Sequence, residues 1–536
     1  MLTSLPIVAA IAVLAQAQGP AQLPPPVRAA ADRIVATQLM RDVEYFASDA
    51  LRGRDTFSPG FDSAAEYIVR RLRVAGLKPM GASGSYRQTY NVKEMALDTA
   101  ATFVEIGGRR FAYGDDIVVQ AFGVEVSVTA PVAYLGHGFR VPSKGIDPYA
   151  GTDVKGKIVL VNGGMFPSGL TPGTLPPDAE SPFLVAALQG AAALVIIASP
   201  RTLSRWDAVR ANSSGRPHQE LDPPVRSAYA HPATNYILVK PAVAAALLSA
   251  DSARASRIIG AAPTAELPAP FQLTRGMTVR VVAKTRTTRQ SYNILALLEG
   301  SDARLKAEYV TVASHLDGAV STQPVDGDSI YNAADDNASG SAATLAIAEQ
   351  MARAPRPRRS VLFIWDSGEE VGLWGTRAFV GQKPVPLGDI VAHVNIDMIA
   401  STRTAGDTTL KDLADSNEVF ITGPRMVSAA LDSLVNQANR ASSKMRLNFR
   451  FDTTTSEFFY PRTDAGPFME RRIPVIEFFT GMHDRYHGPQ DEAKYLDPRK
   501  LEAISRLAFA TLWAVANSPV RPTADKGWPA LVPHYR

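Results

Sequence analysis

From about residue 273 onward the chain alternates strand-like apolar runs with helix-like segments, and no other feature restricts the fold as much. In order come "SYNILALLEG", "EYVTVASH", a helical pattern after Gly340, "SVLFIWDSG", "VAHVNIDMI", "IPVIEFFTG" and a closing helical stretch, "RKLEAISRLAFATLWAVAN". Apolar runs too uniform to alternate inside and outside need cover on both faces, and strands separated by helices connect most simply in parallel. The expectation is an α/β fold, a mostly parallel sheet flanked by helices.

The upstream half reads differently. At 536 residues the chain exceeds what one core accommodates. Two amphipathic helical patterns, "ADRIVATQLMRDVEYFASD" and "FDSAAEYIVRRLRVAGL", come first, the second stopped by Gly76 and Pro79. From 126 to 270 short strand-like runs dominate, including "VSVTAPVAYLG", "GKIVLVNGG", "AALVIIAS" and "YILVK", interrupted by a polar stretch from 199 to 233 that is long for a compact loop. The first residues, "MLTSLPIVAAIAVLAQAQ", hold an apolar stretch too short to span a bilayer, closed by Ala15-Gln16-Ala17. They read as a signal peptide, 1–17, cleaved near Ala17, which places the mature chain in the periplasm or outside the cell. With no Lys or Arg ahead of the apolar stretch, a retained N-terminal anchor stays open.

Composition narrows the chemistry. Hydrophobic residues make up 46% and charged residues 20%, ordinary for a globular chain, and the net charge of +4 is small for its length. The short basic run "RAPRPRR" (353–359) lacks interleaved aromatic residues, so nucleic acid is not an expected partner. With no cysteine, neither disulfides nor thiolate ligation is available, and any metal must be held by Asp, Glu and the 8 histidines.

Ligands in open parallel sheets gather at the carboxyl ends of the strands. The residues there are His315, Glu369 with Glu370, Asp397 and His487. One further site breaks a local rule. "NAADDNASG" sets Asp335 beside Asp336 directly before a helix. One aspartate is accounted for as a helix N-cap, whereas two adjacent carboxylates call for a cation. His315, Asp336, Glu370, Asp397 and His487 are thus five N/O ligands, which suit Zn²⁺. They are too many for one catalytic zinc and fit two zinc ions sharing a carboxylate, for which Asp336 is the natural bridge.

The strings around these residues, "HLD", "GDSIYNAADDNASG", "SGEEVGLWGTRAF", "NIDM" and "IPVIEFFTGMHDRYHGPQDE", resemble in order the motifs of the secreted di-zinc aminopeptidases and the glutamate carboxypeptidases. The resemblance extends upstream. It implies an N-terminal segment of the peptidase domain over 28–125, which includes "DALRGRDTFSPG". A protease-associated domain is implied over 126–270, and the di-zinc peptidase core over 273–520. It assigns His315 and Asp397 to one Zn²⁺ and Glu370 and His487 to the other, with Asp336 bridging, and implies a cis peptide after Asp336. Glu369 would be the general base, taking a proton from the metal-bridging water and passing it to the leaving amine. Tyr486 would stabilise the oxyanion. Asp317, two residues beyond His315, would orient that imidazole from behind. One position departs from the pattern: Ala465 stands where many relatives carry histidine, which bears on substrate positioning and not on the ligands.

What this implies is an exported zinc exopeptidase that hydrolyses N-terminal residues from peptides by a two-metal, bridging-hydroxide mechanism. A carboxypeptidase of the glutamate carboxypeptidase type is the alternative. It would need arginines to clamp a terminal carboxylate, and Arg462, Arg471, Arg472 and Arg485 are the material for one. A glutaminyl cyclase-like acyl transferase and a non-catalytic binding protein complete the alternatives; the intact ligand set and Glu369 weigh against both. Side-chain preference and oligomeric state are not encoded in these motifs.

Overall fold

A computed structural model describes residues 22–121, 125–176, 178–215, 218–225, 236–262, 265–318, 324–453 and 462–528. The expected signal peptide lies outside the described residues. The chain divides into two compact units: residues 1–91, 221–229 and 290–536 form the first, and 92–220 with 230–289 the second.

A ten-stranded mixed sheet runs through the first unit, and its strands Arg87–Leu97 and Ala283–Leu298 continue into residues assigned to the second. Its principal strands are β1 (Arg87–Leu97), β2 (Ala283–Leu298), β3 (Tyr309–His315), β4 (Ser360–Asp366), β5 (Ile390–Ile396), β6 (Glu418–Thr422), β7 (Arg446–Asn448) and β8 (Val475–Phe479), in spatial order β1-β2-β4-β3-β5-β8-β6-β7. The inner four, β4, β3, β5 and β8, run parallel. Antiparallel neighbours flank them, β2 against β4 and β6 against β8. Every residue of β4, β5 and β8 is buried, as the uniform apolar runs require.

Helices cover both faces. On one side pack α1 (Pro25–Ala31), α2 (Ala36–Phe46), α3 (Pro59–Ala75), α4 (Gly340–Arg353), α6 (Ala429–Ala441) and α8 (Pro498–Asn517), and on the other α5 (Trp374–Gln382) and α7 (Ala465–Glu470). The period-2 pleat sorts the strand residues: Val361, Phe363 and Trp365 of β4 meet the first layer, Leu362 and Ile364 the second. Each such side chain, fully buried, contributes about 1.5–3 kcal/mol. α3 starts where Ser58 Oγ accepts from Phe61 N (3.1 Å) and ends at Gly76 (φ 74°), the stop expected from the sequence. The basic run 353–359 is partly committed to this framework, Arg358 pairing with Asp302 and Arg359 with Glu308 (2.9 and 2.6 Å).

The second unit takes in 92–220 and 230–289, around the 126–270 that the resemblance implies for a protease-associated domain, and its strands close on distant partners. Phe103–Ile106 pairs with Arg109–Ala112 and with Met277–Val281, and Ile117–Ala121 pairs with Tyr236–Val239. Val104, Phe111 and Val119 accordingly share a core with Val279 and Ile237. "GKIVLVNGG" and "AALVIIAS" form the adjacent parallel strands Ile158–Asn162 and Ala193–Ile197 of this unit's six-stranded sheet. The stretch from 199 to 233 contains the helices Pro200–Leu203 and Trp206–Gly215 and the strand His218–Asp222, with 226–233 outside the described residues. Trp206, buried, anchors it by donating from Nε1 to Gly114 O (2.6 Å).

Candidate metal centre

The five residues expected as ligands come together at the carboxyl ends of the parallel strands. His315 closes β3, Asp397 follows β5, Glu370 sits in the turn after β4, and His487 lies in the segment after β8. Asp336 arrives from the loop that leads into α4. Its Oδ1 is 3.1 Å from His315 Nε2 and its Oδ2 is 3.2 Å from His487 Nε2. Asp397 Oδ1 lies 3.4 Å from the first imidazole and Glu370 Oε2 lies 3.0 Å from the second. One carboxylate thus reaches two imidazole–carboxylate pairs, and each triad closes within 4.8 Å.

The polarity of these contacts asks for a cation. His315 Nδ1 faces the Asp317 main-chain carbonyl at 3.0 Å, an acceptor only, so the ring proton belongs on Nδ1 and the Nε2 lone pair points at carboxylate oxygens. His315 Nε2, Asp397 Oδ1 and Glu370 Oε1 are all buried without a hydrogen-bond partner. Lone pairs converging on lone pairs, with nitrogen and oxygen donors and no sulfur, fit Zn²⁺. The electrostatics agree. Burial alone would discharge the His487 imidazole, yet its bonds to Asp336 and Glu370 push it up to about 10. Burial would likewise raise Asp336, but the two imidazoles hold it well below the usual carboxylate range. Glu370 is pushed up to about 7 by burial and by Asp336.

The remaining expected residues are close by. Glu369 adjoins Glu370 and falls within the cluster that includes His315. Burial raises its carboxyl well above the ordinary value, and Asp464, Glu370 and Asp397 add to the effect. The Tyr486 ring stacks on His487, 3.7 Å between centroids, beside Met398 and Phe479. Asp317 differs from expectation in detail. Its carbonyl, not its carboxylate, meets His315 Nδ1; the nearer carboxylate oxygen is 3.9 Å away and instead accepts from Glu369 N (3.4 Å). The peptide between Asp336 and Asn337 is cis. Ala465 is fully buried at the start of α7, in the core with Phe379 and Phe468, so its small side chain belongs to packing.

Asp335 turns away from its neighbour. Its carboxylate accepts from Ala400 N (2.8 Å) and Ser401 N (3.1 Å), while Asp491 accepts from Asp335 N (3.0 Å) and Asp336 N (3.1 Å). Lys500 Nζ, buried, donates to Ser401 O (2.7 Å) and Ala414 O (3.1 Å). Gly340 is required by close approach: a Cβ there would meet Asn337 Oδ1 and Ile396 O at 2.3 Å. Asp491, Lys500 and Arg54 were not singled out as site residues from the sequence, although Asp491 and Arg54 lie inside the quoted strings "HGPQDE" and "DALRGRDT".

Residues 293–512 match the model of peptidase family M28. Curated relatives include a "probable zinc metalloprotease" of Pyrenophora teres f. teres, 25% identical over 239 residues, 43% of this chain and 50% of that protein. Another is "leupeptin-inactivating enzyme 1" of Streptomyces exfoliatus, 31% identical over 128 residues, 24% of this chain and 26% of that protein. The chain spans about half the length of the zinc metalloprotease it matches. Among solved structures, an aminopeptidase from Aneurinibacillus sp. strain AM-1 aligns over 94% of this chain and 98% of its own, with 17% identity and a TM-score of 0.47.

Proposed function

We propose that the protein is an exported zinc-dependent aminopeptidase of the M28 type, releasing N-terminal residues from peptides. The observation that carries the reading is the Asp336 carboxylate set between His315/Asp397 and His487/Glu370, an arrangement suited to two zinc ions bridged by Asp336. When bound, the metal pair supplies Lewis acidity to the water and to the scissile carbonyl. The chain's own groups do the rest. Glu369, its carboxylate kept basic by burial and neighbouring acids, takes the proton of the attacking water and returns it to the leaving amine. Tyr486, a phenol whose proton burial retains, donates to the carbonyl oxygen as charge develops. Asp317 supports both partners, His315 through its carbonyl and Glu369 N through its carboxylate.

A free α-ammonium is attracted by the Glu369 and Asp397 carboxylates. A carboxypeptidase needs guanidinium groups at the site, whereas Arg485 pairs with Asp484 (3.0 Å) and lies over the Tyr495 ring, and Arg462, Arg471 and Arg472 are exposed. Export rests on the leader-like residues 1–17; among the described residues no helix is long and apolar enough to cross a membrane. The second unit is proposed as the protease-associated insert, from the strings that form its adjacent parallel strands. Blocking each end of one peptide tests the polarity. Acetylating the amine should stop cleavage and amidating the carboxylate should not; the reverse pattern makes the enzyme a carboxypeptidase. Two zinc ions per chain, with loss of turnover on chelation, separate it from a one-metal acyl transferase and from a binding protein.

A further inference from the structure

Arg54 occupies an unusual turn. Arg52, Gly53, Arg54 and Phe57 all have positive φ (50°, 83°, 61° and 73°), and for the three non-glycine residues that conformation persists only where surroundings over-determine it. The surroundings here are close. A Cβ on Gly53 would stand 2.6 Å from Tyr331 O, and one on Gly318 would stand 2.4 Å from Gly53 O, so the turn is wedged between the segment after His315 and the segment before Asp336. The Arg54 guanidinium, completely buried, completes the wedge. Nε donates to Leu316 O (2.9 Å), Nη1 to Asn332 O (2.9 Å) and to Phe46 O, and Nη2 to Ala333 O (2.9 Å). Among the described residues no carboxylate lies within ion-pair distance of it, so a planar fork is spent wholly on main-chain carbonyls.

Three of those four carbonyls come from the two chain segments that carry His315 and Asp336, and the fourth, Phe46 O, from the end of α2. Leu316 follows His315 directly, and Ala333 stands three residues before Asp336 and accepts from Ala338 N (3.2 Å). We propose that Arg54 is a positioning residue for the metal centre: its rigid fork sets the separation of His315 and Asp336, and with it the geometry of the ion those two share with Asp397. The inference rests on the metal reading above. A lysine cannot substitute, because an ammonium offers its donors from one point and cannot span carbonyls on three segments. Gly53 gives a second handle on the same turn, since an added methyl presses on Tyr331 O.

The test is a Co²⁺ titration of the metal-free full chain, followed by visible absorption and by competition with a chromophoric chelator, for the parent, Arg54→Lys and Gly53→Ala. The parent should bind two ions. Arg54→Lys should keep the parental far-UV circular dichroism but bind one ion about 10- to 100-fold more weakly, the range for groups that orient metal ligands, with an altered absorption band. Gly53→Ala should shift the same band to a smaller extent. A residue that merely stapled the N-terminal segment would lower the unfolding midpoint and leave spectrum and affinity unchanged. That result, or failure of both variants to fold, overturns the proposal; a parent that binds no Co²⁺ overturns the metal reading itself.

Discussion

Asp335 and Asp336 are adjacent in sequence but face opposite ways, so replacing each with alanine should produce two different defects. Asp335→Ala removes the acceptor for Ala400 N and Ser401 N, both buried. Each stranded amide costs about 1–3 kcal/mol, so the variant should lose about 2–6 kcal/mol of unfolding free energy, and should lose it equally with chelator or with zinc. Its zinc-induced stabilisation should survive, because Asp335 touches neither imidazole of the site. Asp336→Ala removes the carboxylate that lies 3.1 and 3.2 Å from the two imidazoles, and both triads lose a member. A site occupied at 100 times its dissociation constant stabilises the fold by about 2.7 kcal/mol. That increment, measured as the difference between urea unfolding curves with zinc and with chelator, should disappear in Asp336→Ala. The reasoning is refuted if Asp336→Ala keeps the zinc increment, or if Asp335→Ala loses the increment while holding its stability in chelator.

Glu369→Gln should retain both metals by direct analysis while turnover falls roughly 10²- to 10⁴-fold, the range for general acid–base catalysis; near-parental turnover would remove Glu369 from that role. Tyr486→Phe should lower kcat by about 10² with metal content unchanged, as loss of one oxyanion donor does, and a change confined to KM would contradict it. Glu477 lies buried on β8, accepting from Thr422 Oγ1 (2.7 Å), and burial pushes its carboxyl from 4.5 up to about 7. Between those values the folded chain holds a proton that the unfolded chain has released, so stability falls as pH rises from about 4.5 to about 7, by on the order of 3 kcal/mol from this group. Glu477→Gln, measured by urea unfolding in chelator, should lack that decline and gain on the parent across the window; parallel pH profiles would refute the assignment.

The parts of this molecule that were legible beforehand are those written in side-chain type at short range. Uniform apolar runs marked β3, β4, β5 and β8, and the clustered side chain beyond each run could be read off because parallel strands deliver their carboxyl ends to one rim. The boundary of the second unit was not legible. Phe103–Ile106 and Ile117–Ala121 look like continuations of the first segment until they find partners more than 100 residues away, at Met277–Val281 and Tyr236–Val239. Nothing in their own composition names those partners. β6, β7 and α6 also went unread between β5 and β8, two of them being strands of five and three residues.

The supports behind the metal centre were hidden for a different reason. Asp317 illustrates it. Its type and spacing suggested a carboxylate on His315, but the imidazole takes the main-chain carbonyl, and the carboxylate serves the amide of Glu369. Arg54 addresses four carbonyls, Lys500 two, and Asp335 and Asp491 only amides among their main-chain contacts. A main-chain acceptor carries no residue identity, so no spacing rule can anticipate which one a buried charge will choose. Buried charges matched to carbonyls and amides thus line the loops of His315, Asp336 and Asp397, beneath five side chains of mostly like charge gathered in one small volume.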